Sequence, residues 1–150
     1  MPYCYEYPRP MVTADIMVFY PSAGQPEKLL LIQRKNPPFA GRWAFPGGYL
    51  EPDESLEACA ARELEEETGL TKLALQQFKT VSTPRRDPRG HTITTVFTAN
   101  ASDDTLMEAH AADDAAALRW FLIDEIPPLA FDHSEILQDF FDKGPCIRPR

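Results

Sequence analysis

The chain has 150 residues, 43% of them hydrophobic and 25% charged, with 23 acidic against 15 basic side chains and a formal net charge of -8. That length suits one domain with a substantial core, read as residues 1–150, and the composition excludes both a disordered chain and a bilayer-spanning one. The acidic balance argues against a nucleic acid polymer or a membrane as partner, while a small anion remains acceptable wherever a cation or a local arginine cluster meets it.

In chain order, the opening "MPYCYEYPRP" lacks the basic start and apolar stretch of an export signal, so a cytoplasmic location is expected. Residues 11–20, "MVTADIMVFY", and 28–34, "KLLLIQR", are rich in apolar and β-branched side chains, and "PSAGQPE" between them supplies turn residues. Two paired strands are predicted. The segment "RKNPPFAGRWAFPGG" carries too much Pro and Gly for a regular element and reads as a loop. From Ser55 to Thr68 nothing interrupts a helix, Ser55 or Asp53 can cap its start, and Gly69 stands where a left-handed terminating residue is wanted. Residues 73–82 and 91–99 read as strands on either side of "TPRRDPRG", and "ALRWFLI" returns to strand-like composition. A last helix is expected over 133–142, where Ile136, Leu137, Phe140 and Phe141 recur at helical spacing. Strands before and after a helix predict an α/β domain in which a mixed β-sheet is covered by helices. The three cysteines, Cys4, Cys59 and Cys146, are scattered and without metal-binding spacing, which favours free thiols.

The chemistry concentrates in the first helix. Glu63, Glu66 and Glu67 share one face, because i, i+3 and i+4 neighbours stand together on an α-helix, and that face lies beside the apolar row Leu56, Ala60 and Leu64. Crowded carboxylates next to a core, near the negative end of the helix dipole, are unfavourable unless something compensates them. A divalent magnesium or manganese ion would do so, since hard cations prefer oxygen ligands. A solvated acidic face is the plainer alternative. Arg62, four residues before Glu66, can hold one carboxylate while others bind metal.

The full spacing is Gly48, five residues, Glu54, seven residues, then Arg62-Glu63-Leu64-Glu65-Glu66-Glu67-Thr68-Gly69-Leu70. Position by position it resembles the Nudix box, over residues 48–70. The resemblance implies a Nudix fold, a mixed β-sheet sandwiched between α-helices, and metal-dependent hydrolysis of a nucleoside diphosphate linked to another moiety. It further implies Glu63, Glu66 and Glu67 as metal ligands together with the Gly48 carbonyl, with Glu54 and Arg62 in support. For the general base it leaves open Glu66 or a late-loop carboxylate, Glu108, Asp113 or Asp114. The flanks "TPRRDPRGHTITTVF", "DDAAALRWF" and "PPLAFDHSEIL" are similar to the ADP-ribose pyrophosphatase-like branch, which also includes regulators of NAD metabolism. On that basis ADP-ribose, cleaved to AMP and ribose 5-phosphate, is the expected substrate.

Arg85, Arg86 and Arg89, with Arg34 more remote, are candidate phosphate or ribose ligands, because planar guanidinium groups match phosphate oxygens. Phe39 and Trp43 could stack a base or pack beneath their loop. The alternatives are another nucleotide substrate, or a non-catalytic sensor of ADP-ribose that kept the fold. A homodimer is expected from family precedent and the apolar residues near both chain ends.

Overall fold

Residues 11–34 form a long hairpin, β1 (Met11–Ser22) and β2 (Gln25–Arg34), but its strands pair with each other only next to the turn, from Phe19↔Leu29 to Ser22↔Gln25. Beyond that they diverge. The wedge so opened is filled by two short strands, β3 (Trp43–Ala44) on β2 and β4 (Gly47–Tyr49) on β1. The loop expected over this stretch is therefore partly a sheet, a correction with a simple cause: the free edges of β1 and β2 offer unpaired backbone groups that Pro-Gly composition does not reveal. The computed structural model describes residues 2–104 and 115–143.

The remaining strands extend the sheet on both sides. β5 (Gln76–Val81) pairs antiparallel with β6 (Thr92–Asn100), and β6 lies parallel to β1 in unbroken register from Met11↔Thr92 to Phe19↔Asn100. β7 (Ala115–Leu122) pairs antiparallel with the outer edge of β2. Among the described residues the result is a mixed seven-stranded sheet.

Alternation along β1 places its side chains on opposite faces of the sheet. Ala14, Ile16 and Val18 join Cys59, Ala60 and Leu64 of helix α1 (Leu56–Thr68) in one core cluster. Met17 and Phe19 join Ile136 and Leu137 of helix α2 (His133–Asp142) in the other. The expected sandwich of a mixed sheet between helices is present, with one core on each face. At the ends of α1 the sequence signals act as anticipated. The Ser55 side chain accepts the Ala58 N–H at 3.1 Å, and Gly69 closes the helix at φ 75°. A cap of this kind contributes about 1 kcal/mol.

Candidate active site

Where β1 and β2 part, a cleft of about 390 Å³ opens between the Gly47–Tyr49 strand, helix α1 and the turns at 86–89 and 131–133. Its acidic wall comes from α1. Arg62 is the hub of that helix: its Nε and Nη2 donate to the two oxygens of Glu54 at 3.0 and 2.6 Å, and its Nη1 donates to Glu63 at 2.8 Å and Glu66 at 3.3 Å. Nη2 also donates to the Tyr49 carbonyl at 3.0 Å, which ties the helix to the glycine strand. The hydrogen bonds from Arg62, joined by the Glu51 N–H, hold the Glu54 carboxyl down at about 2. Glu54 is thus a fixed anion serving Arg62, and one guanidinium restrains four neighbouring carboxylates rather than the single one expected.

The three glutamates of the shared helical face differ in surroundings. Glu63 and Glu67 line the cleft, whereas Glu66, with its side chain 58% exposed, stands outside the lining residues and is tethered through Arg62. Burial pushes the Glu67 carboxyl up to about 8, with the Glu63 and Asp15 charges adding to the effect against the Gly47 N–H that Glu67 accepts at 2.9 Å. Burial also raises Glu63, despite its bond to Arg62. The backbone at this wall tolerates no side chains. A Cβ on Gly48 would collide with the Glu63 carboxylate, and one on Gly47 with the Ala14 carbonyl and Asp15.

Two partly dehydrated carboxylates and the nearby glycine carbonyls make a hard, anionic oxygen set, which suits magnesium or manganese and fits no soft metal. Among the described residues no three His, Cys, Asp or Glu side chains converge closely enough to enclose an ion. A partial protein shell of this kind agrees with the habit of magnesium, which keeps several positions for water and phosphate. Cys59, beneath Gly48, is a neutral thiol: burial pushes it up to about 12, helped by Glu54.

The facing wall is basic. Arg86, buried to 4% exposure, donates through Nε and Nη2 to both oxygens of Asp132 at 2.9 and 2.7 Å. Arg89 is clamped by Asp87, whose carboxylate also accepts the Arg89 backbone N–H. Burial drives the Asp87 carboxyl upward, but those Arg89 hydrogen bonds outweigh it and leave it below the usual range. Arg34 donates Nε to the Pro38 carbonyl at 2.8 Å and forms no ion pair with any described residue. Burial, then the Arg89 charge, lower its pKa.

Arg34, Arg86 and Arg89 thus come together in the cleft, while Arg85 is exposed and absent from its lining. Trp43 packs on Phe121 within the core, and Phe39 packs on Phe131. Glu108, Asp113 and Asp114 lie outside the described residues.

Four residues lining the cleft carried no individual expectation, Asp15, Asp87, Phe131 and His133, nor did Asp132, the partner of Arg86. Asp15 left one signal, a lone carboxylate inside the apolar run "TADIMVFY". It accepts the Thr94 hydroxyl at 2.6 Å, and His133 Nε2 stands 3.9 Å away. The His133 Nδ1 accepts the Phe45 N–H at 3.1 Å, which fixes Nε2 as the protonated nitrogen of the neutral ring, and burial lowers its pKa.

A family model described as NUDIX domain matches residues 9–140. Among curated proteins, an ADP-ribose pyrophosphatase of Methanocaldococcus jannaschii is 43% identical over 113 residues, covering 75% of this chain and 65% of that protein. The ADPR responsive transcriptional repressor NtrR of Acinetobacter baylyi is 36% identical over 140 residues, covering 91% of this chain and 55% of the repressor. This chain therefore spans 65% and 55% of the lengths of these two relatives. A solved structure of the NUDIX domain of Shewanella oneidensis NrtR complexed with ADP ribose superposes with a TM-score of 0.78 at 32% identity, over 88% of this chain and 86% of that one.

Proposed function

Because this chain belongs to the Nudix family, we propose that it is a divalent-metal-dependent hydrolase that splits the pyrophosphate of ADP-ribose into AMP and ribose 5-phosphate. The observation that carries the proposal is the cleft's polarity, with raised, partly buried carboxylates Glu63 and Glu67 on one wall and Arg34, Arg86 and Arg89 on the other. A diphosphate adds negative charge opposite three arginines of which Arg34 forms no ion pair with a described residue, and it shares a cation with the first wall. The relative named as an ADP-ribose pyrophosphatase and the structure holding ADP ribose support the choice of substrate.

Glu63, Glu67 and the Gly48 carbonyl would hold magnesium or manganese, with Glu66 joining them from the rim. The chemistry such an ion supplies is charge neutralisation at the phosphate oxygens and acidification of the attacking water. The chain's own residues do the rest. The three arginines receive the phosphates and fix their orientation, and Arg62 holds Glu63 against the glycine strand. The oxygen of water bonds to phosphorus while the bridging P–O bond breaks, and the proton passes to a carboxylate, either Glu66 or one of Glu108, Asp113 and Asp114.

The repressor relative favours a second reading, a sensor that binds ADP-ribose without cleaving it. Incubation with magnesium and ADP-ribose, other nucleoside diphosphate derivatives or oxidised nucleoside triphosphates separates the readings. AMP from ADP-ribose at the highest kcat/KM is the expected result. Tight ADP-ribose binding with no turnover of any compound would establish the sensor instead.

We further propose a homodimer, supported by the exposed Tyr3, Tyr5 and Tyr7, and sedimentation as a lone 16.9 kDa species would overturn it. No described helix is long and apolar enough to cross a membrane. The free thiols Cys4 and Cys59 suit a reducing compartment such as the cytoplasm.

A further inference from the structure

The turn between β7 and α2 touches every arginine of the basic wall. Asp132 holds Arg86 by two hydrogen bonds, and the preceding residue, Phe131, lies under the other two. The guanidinium carbon of Arg34 is 4.9 Å from the centre of the Phe131 ring, and that of Arg89 is 5.2 Å from it. Both distances are within the range in which the negative face of an aromatic ring attracts a cation.

Two features make this more than a packing contact. Phe131 has φ 52°, a left-handed conformation that a bulky side chain adopts only where its surroundings impose it. Those surroundings include Phe39, itself at φ 61°, whose ring meets that of Phe131 edge-on at 4.9 Å. The second feature is the charge balance. Arg34 and Arg89 repel each other, among the described residues only Arg89 forms an ion pair, and while the Asp87 and Tyr49 charges act on both, the aromatic ring that both guanidinium groups face is that of Phe131.

We propose that Phe131 is a positioning residue for substrate binding: its ring sets the placement of the Arg34 and Arg89 guanidinium groups so that together they receive the diphosphate. This rests on the reading of the cleft as an ADP-ribose site. Phe131 acts through the arginines and touches no reacting atom, so its replacement weakens binding and spares the chemical step.

The test compares wild type with Phe131→Leu, which keeps apolar bulk and loses the ring, and with Phe131→Tyr, which keeps both. Loss of two partly exposed cation–π contacts predicts a rise of about five- to ten-fold in KM for ADP-ribose. Calorimetry with ADP-ribose in the presence of chelator should show the same rise in Kd, with kcat within about two-fold of wild type and Phe131→Tyr restoring both constants. An unchanged KM in Phe131→Leu, a loss confined to kcat, or failure of Phe131→Tyr to restore binding would overturn the proposal. Should Phe131→Leu fail to fold, Phe131→Met is measured in its place with the same expectations. Wild type that neither binds nor cleaves ADP-ribose removes the site reading and this proposal together, whereas active wild type with an unaffected Phe131→Leu removes this proposal alone.

Discussion

The two walls of the cleft are built in different ways. The acidic wall is local: Gly47, Gly48, Glu54, Arg62, Glu63 and Glu67 fall within 21 consecutive positions and are drawn together by one glycine strand and one helix. The basic wall is assembled from Arg34 at the end of β2, the 86–89 turn before β6 and the 131–133 turn before α2. The parallel pairing of β1 with β6, the antiparallel pairing of β2 with β7 and the backbone bridge from Trp43 to Leu129 and Ala130 bring those three segments to one place. A helix converts spacing directly into a face, whereas a surface gathered from distant turns exists only once the sheet has formed.

The difference predicts unequal effects of mutation, and the acidic wall should give the largest. Glu67→Gln removes a proposed ligand while leaving a neutral group in a site that already disfavours charge, so turnover should fall at least ~100-fold with no loss of thermal stability. Glu66→Gln should also lower turnover by orders of magnitude, but with no stability change, since its side chain is exposed. Steady-state kinetics with magnesium and a melting curve for each variant check both. Full activity in Glu67→Gln would break the assignment of the acidic wall.

On the basic wall the expected effects are smaller and fall on binding. Arg34→Ala and Arg86→Ala should each raise KM by roughly ten-fold, the value of a charge-assisted contact to phosphate. Arg85→Ala should stay within about two-fold of wild type, because an exposed charge outside the cleft is well screened. Equal KM changes across all three would show that the wall acts through net charge and not through placement.

A separate effect, on stability and not on turnover, concerns pH. In the metal-free protein the Glu67 carboxyl sits at about 8 against an unfolded value near 4.5. A folded value raised in this way contributes most below pH 4.5 and loses its contribution as pH rises through 8, because the unfolded chain ionises first. Urea unfolding in chelator should therefore show falling stability from pH 5 to 8, with a shallower fall in Glu67→Gln. Identical slopes would contradict the buried, protonated state.

The same contrast explains what was legible in the sequence. The Ser55 cap, the Gly69 stop and the carboxylate face follow from spacing along one helix, and the paired apolar faces of β1 follow from alternation. Spacing did not separate Glu66 from Glu67, since their burial depends on how α1 sits against the Gly47–Tyr49 strand. Nor did it separate Arg86 from Arg85. Adjacent arginines look alike in a sequence, and it is Asp132, 46 positions away, that draws one of them inward. Phe131 and His133 lie in the flank "PPLAFDHSEIL" but nothing in it marked either one, because their roles arise from contacts with Arg34, Arg89, Phe45 and Asp15 across the fold.

The central claim, that the buried carboxylates await a divalent ion, is met most directly by calorimetric titration of magnesium or manganese into metal-free protein at pH 7, with AMP present and wild type set beside Glu67→Gln. Saturable uptake with release of a proton by wild type, weakened and without that release in the variant, is the expected result. Absence of uptake by wild type, or equal uptake by both proteins, would contradict the account.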